Sequence, residues 1–319
     1  MKKKFYLVLD TETATLPFAD EICGTPKEKQ TIAIAKPLVY DIGWVIIDRQ
    51  GEVYKKVNYL VQETFFVPNV FNTAYYCDKR PIYMQMLEEG LISAKNWNDI
   101  AEELQLDLDI CDIVSAYNAC FDFKKAIPFT ERYIYNLYSA DYNKWEKGQK
   151  NHCKKLISGK PDDSVGNPDF LKPVFKFRGV EYPMCDLWGL ACERLINIDK
   201  YRNYCLDNKL LTASAIYFKT SAETSFQYLM NNYDFIESHT ALSDAEIESQ
   251  ILLKALKRGA VSPLVTAFPF KELGTTYDYA LNKKQKYIDT VRECIAEYVE
   301  TLGSSGYRTK MENILNLLG

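Results

Sequence analysis

The stretch FYLVLDTETATLPF, residues 5–18, contains the first predicted strand and the two acids on which the interpretation of the chain depends. A run of β-branched and aromatic residues, typical of a buried strand, ends in Asp10 and Glu12. Side chains at positions i and i+2 of a strand point to the same face, so these two acids lie side by side. Two carboxylates that close repel each other and lose hydration, unless a positive charge lies between them. The pair therefore either turns into solvent or holds a metal ion.

The remaining apolar segments predict an α/β protein whose sheet starts with antiparallel strands. A turn at residues 49–51 joins the second and third predicted strands into a hairpin. The five predicted strands cover residues 5–10, 38–48, 53–61, 112–117 and 182–187. Helical spacing of apolar residues covers residues 82–89, 98–108, 121–127, 188–196, 223–231, 240–257, 283–302 and 308–318. Pro128 limits the third of these helices, and Thr220 or Ser221 caps the fifth.

Two segments interrupt this pattern. Residues 11–36 are predicted as a long polar and mixed loop. Residues from about 130 to 180 are rich in Tyr, Lys, Asn and Gly, and they contain Pro161, Pro168 and Pro173, so they are predicted as an insertion. The chain then divides into a domain at residues 1–260 and a helical C-terminal extension at residues 261–319. The apolar stripes of the extension pack on the core or on another subunit, and a role as an interaction module stays open.

Composition limits the classes of function. With 39 Lys and Arg against 43 Asp and Glu, the formal net charge is −4, so any polyanion must be held locally or through metal. Two histidines exclude a His-rich metal site, and nine cysteines without C-x-x-C spacing indicate reduced thiols. The apolar run after residues 2–4 is too short for a signal peptide, and no segment reaches about 18 apolar residues. We therefore expect a cytoplasmic protein with no membrane partner.

Two further stretches place acids beside predicted elements. YNACFD, residues 117–122, brings Asn118 to a strand end and Asp122 to the first turn of a helix, where an acid also favours the helix dipole. SHTALSD, residues 238–244, puts His239 five residues before Asp244 at a helix start, although a helix cap with polar surface neighbours produces the same pattern. Together, four acids and one histidine come to a strand end and two helix starts.

In that combination the sequence resembles the DEDD superfamily of 3′-to-5′ exonucleases, in its DnaQ-like, His-bearing branch (DEDDh), which includes the epsilon proofreading subunit of bacterial DNA polymerase III. The first family motif resembles residues 10–13 (DTET), the second residues 118–122 (NACFD) and the third residues 239–244 (HTALSD). The resemblance covers roughly residues 1–260. It implies a ribonuclease H-like fold with a mixed five-stranded sheet flanked by helices.

The chemistry of that family suits the acids. Phosphodiester hydrolysis needs a nucleophilic hydroxide and a stabilised leaving alkoxide, and two divalent cations about 3.5–4 Å apart can supply both. Mg²⁺ and Mn²⁺ prefer oxygen ligands. The resemblance implies that Asp10, Glu12 and Asp244 hold the catalytic ion, and that Asp10 bridges to a second ion that Asp122 reaches mostly through water. It also implies that His239 is the general base, whose ordinary pKa near 6.5 suits that task.

The residues that we assign to the substrate lie next to these motifs. The resemblance implies that the backbone after the first motif approaches the terminal nucleotide. Many family members have Thr-Gly there, so Ala14 changes the detail of that contact. Lys124 and Lys125 follow the second motif and are placed to reach a phosphate. The predicted substrate-binding residues are Thr11, Thr13, Ala14, Asn118, Phe121, Lys124 and Lys125.

Other charged residues have two interpretations each. Glu248 stands one turn after Asp244, and we interpret it as a solvated helix residue, with an additional acid of the site as the alternative. Lysines of the insertion alternate with Tyr142 and Trp145, which is the pairing that binds single strands, or else they form a solvated mobile loop. These lysines are Lys144, Lys147, Lys150, Lys154, Lys155 and Lys160.

The patterns predict a two-metal-ion 3′–5′ exonuclease that releases nucleoside 5′-monophosphates from DNA, expected to be single-stranded. An RNA-trimming exonuclease or oligoribonuclease is an alternative, because the sequence does not separate ribose from deoxyribose. A nucleic-acid-binding protein on the same fold is another, although such a protein need not keep all four acids and the histidine. A proofreading role needs a polymerase or replication partner, while repair or a phage-type role is equally compatible. The sequence leaves the oligomeric state undetermined.

Overall fold

A mixed sheet of seven strands organises the part of the chain that the computed structural model describes, which is residues 3–159, 168–302 and 306–319. In chain order the strands are β1 (Phe5–Ala14), β2 (Leu38–Asp48), β3 (Val53–Val61), β4 (Ser93–Lys95), β5 (Ile113–Ala116), β6 (Val174–Phe177) and β7 (Val180–Asp186). Their spatial order is β4-β3-β2-β1-β5-β7-β6. The predicted α/β class is confirmed, but the prediction of five strands is wrong. The edge strands β4 and β6 are too short to show an alternating pattern in the sequence.

The antiparallel start predicted for the sheet is confirmed. β1 pairs antiparallel with β2, and β2 pairs antiparallel with β3. β5 lies parallel to β1, and β7 lies parallel to β5, so the carboxyl ends of these three strands point to one edge. Ser115 near the end of β5 lies opposite Val8, so β1 continues past β5 and carries Asp10 beyond the paired region. Asp10 therefore lies where ligands of open α/β sheets bind.

Helices flank this sheet on both faces. The described residues form the α-helices α1 (Ala19–Ile22), α2 (Pro26–Ala35), α3 (Gln62–Phe65), α4 (Pro68–Phe71), α5 (Arg80–Glu88), α6 (Trp97–Ile110), α7 (Ala119–Phe121), α8 (Ile127–Leu137), α9 (Tyr142–Ile157), α10 (Leu187–Arg194), α11 (Asp199–Asp207), α12 (Ala222–Met230), α13 (Ala241–Arg258), α14 (Thr276–Lys283), α15 (Ile288–Glu300) and α16 (Gly306–Leu317). The predicted helices that correspond to α5, α6, α10, α12 and α13 are confirmed. Ser221, not Thr220, caps α12 by accepting the N–H of Thr224.

The segment between β1 and β2 is mostly regular structure, so its prediction as a long loop is wrong. β1 extends to Ala14, and α2 follows with a capping box in which the side chains of Thr25 and Glu28 each accept the other residue's backbone N–H. Within α2 only Ile32 is fully buried, so the helix shows no wide apolar stripe in the sequence. Because α2 is mostly exposed, its composition resembles that of a loop.

Pro128 does not end the helix that begins after β5. Residues 119–137 are helical throughout, and a π turn at Asp122–Ala126 separates α7 from α8. In that turn the N–H of Ile127 bonds to the carbonyl of Asp122, five residues earlier. Because the wide turn has already interrupted the four-residue ladder, Pro128 falls in the first turn of α8, where its missing N–H is tolerated.

The predicted insertion is more ordered than its composition suggests. α9 and β6 lie within it, and Cys153 and Leu156 of α9 are buried against the rest of the protein. The interpretation of this segment as a mobile loop is therefore wrong for the part that is described. Lys160 and Pro161 lie outside the described residues.

Two apolar clusters lie on the two faces of the sheet. Leu7 and Leu9 of β1 belong to one cluster, and Tyr6 and Val8 belong to the other. Buried side chains of α15 and α16 join the second cluster, so the C-terminal extension packs on the core of the sheet. Residues 303–305, between these two helices, lie outside the described part. In the described ranges no helix is both long and apolar enough to cross a membrane.

Candidate metal and catalytic site

The site begins where β1 passes the end of β5. Asp10 and Glu12 share the face of β1 that carries Tyr6 and Val8, as the alternation predicts. The pairing of β1 with β2 shifts register after Glu12, because Tyr40 of β2 has no partner in the ladder. Bulges of this kind recur beside active sites, where they redirect side chains. The backbone is therefore irregular immediately after the second acid.

A close contact between β2 and α13 brings a third acid to the same place. Gly43 lies opposite Asp10 in the ladder, and a Cβ atom at Gly43 would lie 2.3 Å from the backbone nitrogen of Leu242. The N–H of Ala241 donates to the carboxylate of Asp41 at 3.0 Å. With no side chain between them, the first turn of α13 lies directly on the sheet, and this turn carries Asp244.

The fourth acid follows from the loop after β5. Asn118 has a left-handed backbone with φ 64°, and its N–H donates to Oδ1 of Asp186 at 3.0 Å. The N–H of Tyr117 donates to Oε2 of Glu248 at 3.0 Å. These bonds hold the chain that leads into the π turn, which starts at Asp122. Oγ1 of Thr11 then donates to Oδ1 of Asp122 at 2.6 Å, which ties this acid to β1.

Asp10, Glu12, Asp122, Asp244 and Glu248 form what we call the strand-end cluster. Burial raises the pKa of Asp10, and the charges of Glu248, Asp122, Asp244 and Glu12 raise it further. Burial also raises the pKa of Asp122 to about 7 and that of Asp244 to about 8. The positive charges among the described residues near these acids therefore do not offset burial and mutual repulsion.

Unpartnered oxygen atoms indicate where a cation fits. Oδ1 of Asp244 and Oδ1 of Asp41 are buried and accept no hydrogen bond from any described residue. Glu12, His239 and Asp244 offer ligand atoms that all lie within 4.8 Å of one another. Carboxylate oxygens suit Mg²⁺ and Mn²⁺, and a bound cation removes both the repulsion and the unpaired acceptor at Asp244. The residues present therefore fit the predicted metal.

His239 stands at the open side of the cluster. Its backbone is left-handed with φ 50°, and its Nδ1 lies 3.6 Å from Glu237 and 4.0 Å from Asp244. The ring stacks on Tyr76 with centroids 4.5 Å apart and an interplanar angle of 16°. Lys79 donates to the carbonyl of Ser238 at 2.6 Å, which fixes the adjacent backbone. Burial and the charge of Lys79 lower the pKa of His239, so the imidazole is neutral near pH 7.

Glu248 corrects the sequence interpretation. It is 2% exposed and bonded to the strand end, so the interpretation as a solvated helix residue is wrong. Burial raises its pKa well above the ordinary value, and the charge of Asp122 adds to this effect. The sequence signal that Glu248 belongs to the site was its position four residues after Asp244, which puts both side chains on one face of α13. Asp41 and Asp186 were missed altogether, because pairing partners across a sheet are not readable from a single sequence.

The predicted substrate residues divide into two groups. Thr13 and Phe121 line a cavity beside the cluster. Lys124 instead donates to the carbonyls of Asp169 and Lys172. Thr11 bonds to Asp122, Asn118 contributes a backbone turn, Ala14 is buried, and Lys125 lies 5.6 Å from the Phe170 ring centroid.

The lysines of the insertion lie on α9. Lys144, Lys147, Lys154 and Lys155 are exposed, whereas Lys150 bonds to Glu21 at 3.1 Å and to Glu146 at 2.9 Å. Trp145 packs among the rings of Phe129, Tyr133 and Tyr142. The ring predicted to stack on bases is therefore used in packing.

Comparison with known proteins adds no assignment, since no family model, no curated protein and no solved structure matches the chain.

Proposed function

We propose that the protein is a metal-dependent 3′–5′ exonuclease of the DnaQ-like type, acting on single-stranded DNA. The observation that supports this most is the strand-end cluster, in which acids from β1, the π turn and α13 meet beside a histidine. Four of its five acids, and the histidine, are the residues that the three motifs predict to act together. Stability alone does not explain the cluster, because its buried acids repel one another.

The α/β fold is compatible with the class of architecture that the resemblance implies, although the sheet has seven strands and not five. β1, which carries Asp10 and Glu12, lies in the middle of this sheet, between β2 and β5. The fold supports the proposal without carrying it, because one fold hosts many functions.

In the proposed mechanism, the acids would hold two divalent cations, Mg²⁺ or Mn²⁺. Asp10, Glu12 and Asp244 would hold one, and Asp10 and Asp122 would hold the other. When bound, such ions would supply activation of the attacking water and stabilisation of the charge on the leaving oxygen. Water adds to the phosphorus, the bond from phosphorus to the 3′ oxygen breaks, and that oxygen takes up a proton. The terminal nucleotide leaves as a nucleoside 5′-monophosphate.

His239 accepts the proton of the attacking water. A neutral imidazole is required for this step, and the lowered pKa supplies one at neutral pH. Tyr76 restricts the ring by stacking on it, and Lys79 holds the backbone of Ser238. Burial raises the pKa of Glu237 beside the ring to about 7, so its charge also depends on pH in the working range.

The test is a cleavage assay with a 5′-labelled single-stranded DNA and an RNA of the same sequence, each with Mg²⁺, Mn²⁺ or EDTA. The expected result is a ladder that shortens from the 3′ end, is lost in EDTA and is lost in Asp10→Asn. Asp234→Asn, at an exposed position outside the three motifs, is the matched control and is expected to retain activity.

Each other outcome has a definite meaning. A ladder on RNA alone replaces the DNA assignment with the RNA-trimming alternative. Intact DNA and RNA with every metal, together with tight binding of either, support the binding protein without cleavage. Activity that survives Asp10→Asn contradicts the proposed metal site.

A further inference from the structure

A cavity of about 680 Å³ has Thr13 and Phe121 in its wall. Each of these two residues is next in sequence to an acid of the strand-end cluster, although the acids themselves do not line the cavity. Its opposite wall is α2, with Lys27, Lys29 and Ile34. In the sequence this helix comes after β1 and before β2, and it belongs to none of the three motifs. The volume is within the range of about 300–1,000 Å³ found for sites of small organic ligands.

Aromatic contacts connect this cavity to the histidine. Tyr75 lines the cavity, and its ring meets that of Tyr76 edge to face, with centroids 4.8 Å apart. Tyr76 in turn stacks on His239. A ligand in the cavity therefore lies one aromatic ring away from the residue that stacks on the proposed base.

The lining presents flat apolar surface and positive charge together. Tyr75 is 87% exposed, and Ile34 is 50% exposed. Lys27 is exposed at the first turn of α2, and Lys29 pairs with the exposed Asp20 at 2.8 Å. An exposed aromatic ring stacks on a base, and a lysine attracts a phosphate.

We propose that this cavity binds one unpaired nucleotide of a nucleic-acid strand whose end lies at the strand-end cluster, an inference that rests on the proposed function. The base stacks on Tyr75, and the phosphate lies near Lys27. A base inside a double helix is stacked on both faces and offers no free face to Tyr75, so the cavity selects single-stranded ends. α2 thereby gives the site a substrate contact that the motifs do not provide.

The test measures binding and not cleavage. The fluorescence anisotropy of a 5′-fluorescein oligothymidylate is titrated with the full chain in EDTA. Tyr75→Ala is expected to weaken binding by about fivefold or more, which corresponds to the loss of one stacked base. Tyr135→Ala is the matched control, because Tyr135 is 78% exposed on α8 and lies away from the cavity. The affinity for a blunt duplex is expected to be the same for both variants.

Salt dependence tests the lysine. Removal of one phosphate contact reduces the slope of log K against log salt by about 0.7 for a single strand, so Lys27→Ala is expected to show that reduction. Lys257→Ala, exposed in the last turn of α13, leaves the slope unchanged.

The outcomes separate this inference from the proposed function. If Tyr75→Ala and Lys27→Ala bind the oligonucleotide as the wild type does, the cavity is not a nucleotide site, whether or not the wild type cleaves. If the wild type never cleaves but both variants lose affinity, the binding site stands and the exonuclease does not.

Discussion

The protein contains two groups of acids that are treated in opposite ways. On α6, Glu103 and Asp107 meet Lys55 and Lys95, with nitrogen–oxygen distances of 2.7–3.0 Å; we call these four residues the lysine-matched cluster. Burial acts to raise the pKa of Glu103, but the hydrogen bonds from Lys95 and Lys55 outweigh it and lower that pKa to about 2. The strand-end cluster holds more acids, and its pKa values are raised.

The opposite pKa shifts of the two clusters indicate different roles. Lysines in the lysine-matched cluster neutralise its acids within the chain, so that cluster is complete without a ligand. In the strand-end cluster, Lys79 lowers the pKa of Glu12 and Asp244, but their pKa values stay above the ordinary ones. We propose that a cation from outside completes this buried set of acids, which the chain itself does not neutralise.

The largest expected effect separates the two clusters directly. Asp244→Asn removes a proposed metal ligand, and the rate is expected to fall by about 10³-fold or more, since a metal supplies several kcal/mol of charge stabilisation. Its melting temperature in EDTA is expected to rise, because folding near pH 7 no longer requires a buried carboxyl with a raised pKa to take up a proton. Glu103→Gln is expected to retain the rate and to lose about 1 kcal/mol of stability, because its ion pairs are partly screened by solvent. Cleavage rate and thermal unfolding are measured for both variants. If Asp244→Asn and Glu103→Gln change both quantities equally, the two clusters do not have different roles.

A smaller effect is expected at Glu248. Glu248→Gln keeps an oxygen that accepts the N–H of Tyr117 but removes the charge. Mutation of a group that orients metal ligands typically lowers metal affinity or activity by about 10–100-fold. The activity of Glu248→Gln should therefore fall by that factor, and the Mg²⁺ concentration for half-maximal rate should rise. Glu246→Gln, on the same helix but pointing to Lys56, serves as the control. A normal Mg²⁺ dependence in Glu248→Gln would show that its charge does not act on the metals.

Tyr76 allows a test of how the histidine is held. Tyr76→Ala removes the stacked ring, and an aromatic pair is worth about 0.5–1.5 kcal/mol, so the rate should fall by about two- to tenfold. Tyr76→Phe keeps the ring and should retain the rate and the pH profile. The measurement is kcat against pH for both variants. Equal losses in both would assign the effect to the hydroxyl and not to stacking.

The smallest effect concerns stability and pH. Because the pKa values of Asp122 and Asp244 are about 7 and 8, above the ordinary value, the folded state binds more protons than the unfolded state between pH about 4 and 8. The free energy of unfolding without metal therefore falls as pH rises through that window. Mg²⁺ should raise the melting temperature by several degrees near pH 8 and hardly at pH about 5.5. Asp10→Asn should lose this gain, and a Mg²⁺ effect equal at both pH values would contradict the raised pKa values.

The sequence predicted the parts of the fold that have their own periodicity. β2 and β3 match their predicted bounds, and α13 matches within one residue, because each is long and strongly patterned. β4 and α2 were not predicted. β4 is too short to show a pattern, and α2 buries a single side chain. Short elements owe their conformation to their neighbours in space.

The candidate site shows the same limit at the level of residues. The motifs predicted four acids and one histidine, and the structure brings them to one strand end. Glu248, Asp41 and Asp186 join them through contacts across the sheet that no local spacing reveals, except the one turn between Asp244 and Glu248. Lys124 had the right chemistry, but its ammonium group bonds to a neighbouring segment of the chain.

The π turn at Asp122–Ala126 sets the phase of the helix that follows β5. A π turn contains one residue more than the α-helical ladder needs, and one residue corresponds to about 100° of rotation around a helix axis. Deletion of one residue between Asp122 and Ile127 would therefore relax the helix to regular geometry and rotate Asp122 away from Thr11, although every acid of the site would still be present. The direction of this acid is encoded by the length of the segment, a property that a scan of substitutions does not detect and a scan of deletions does.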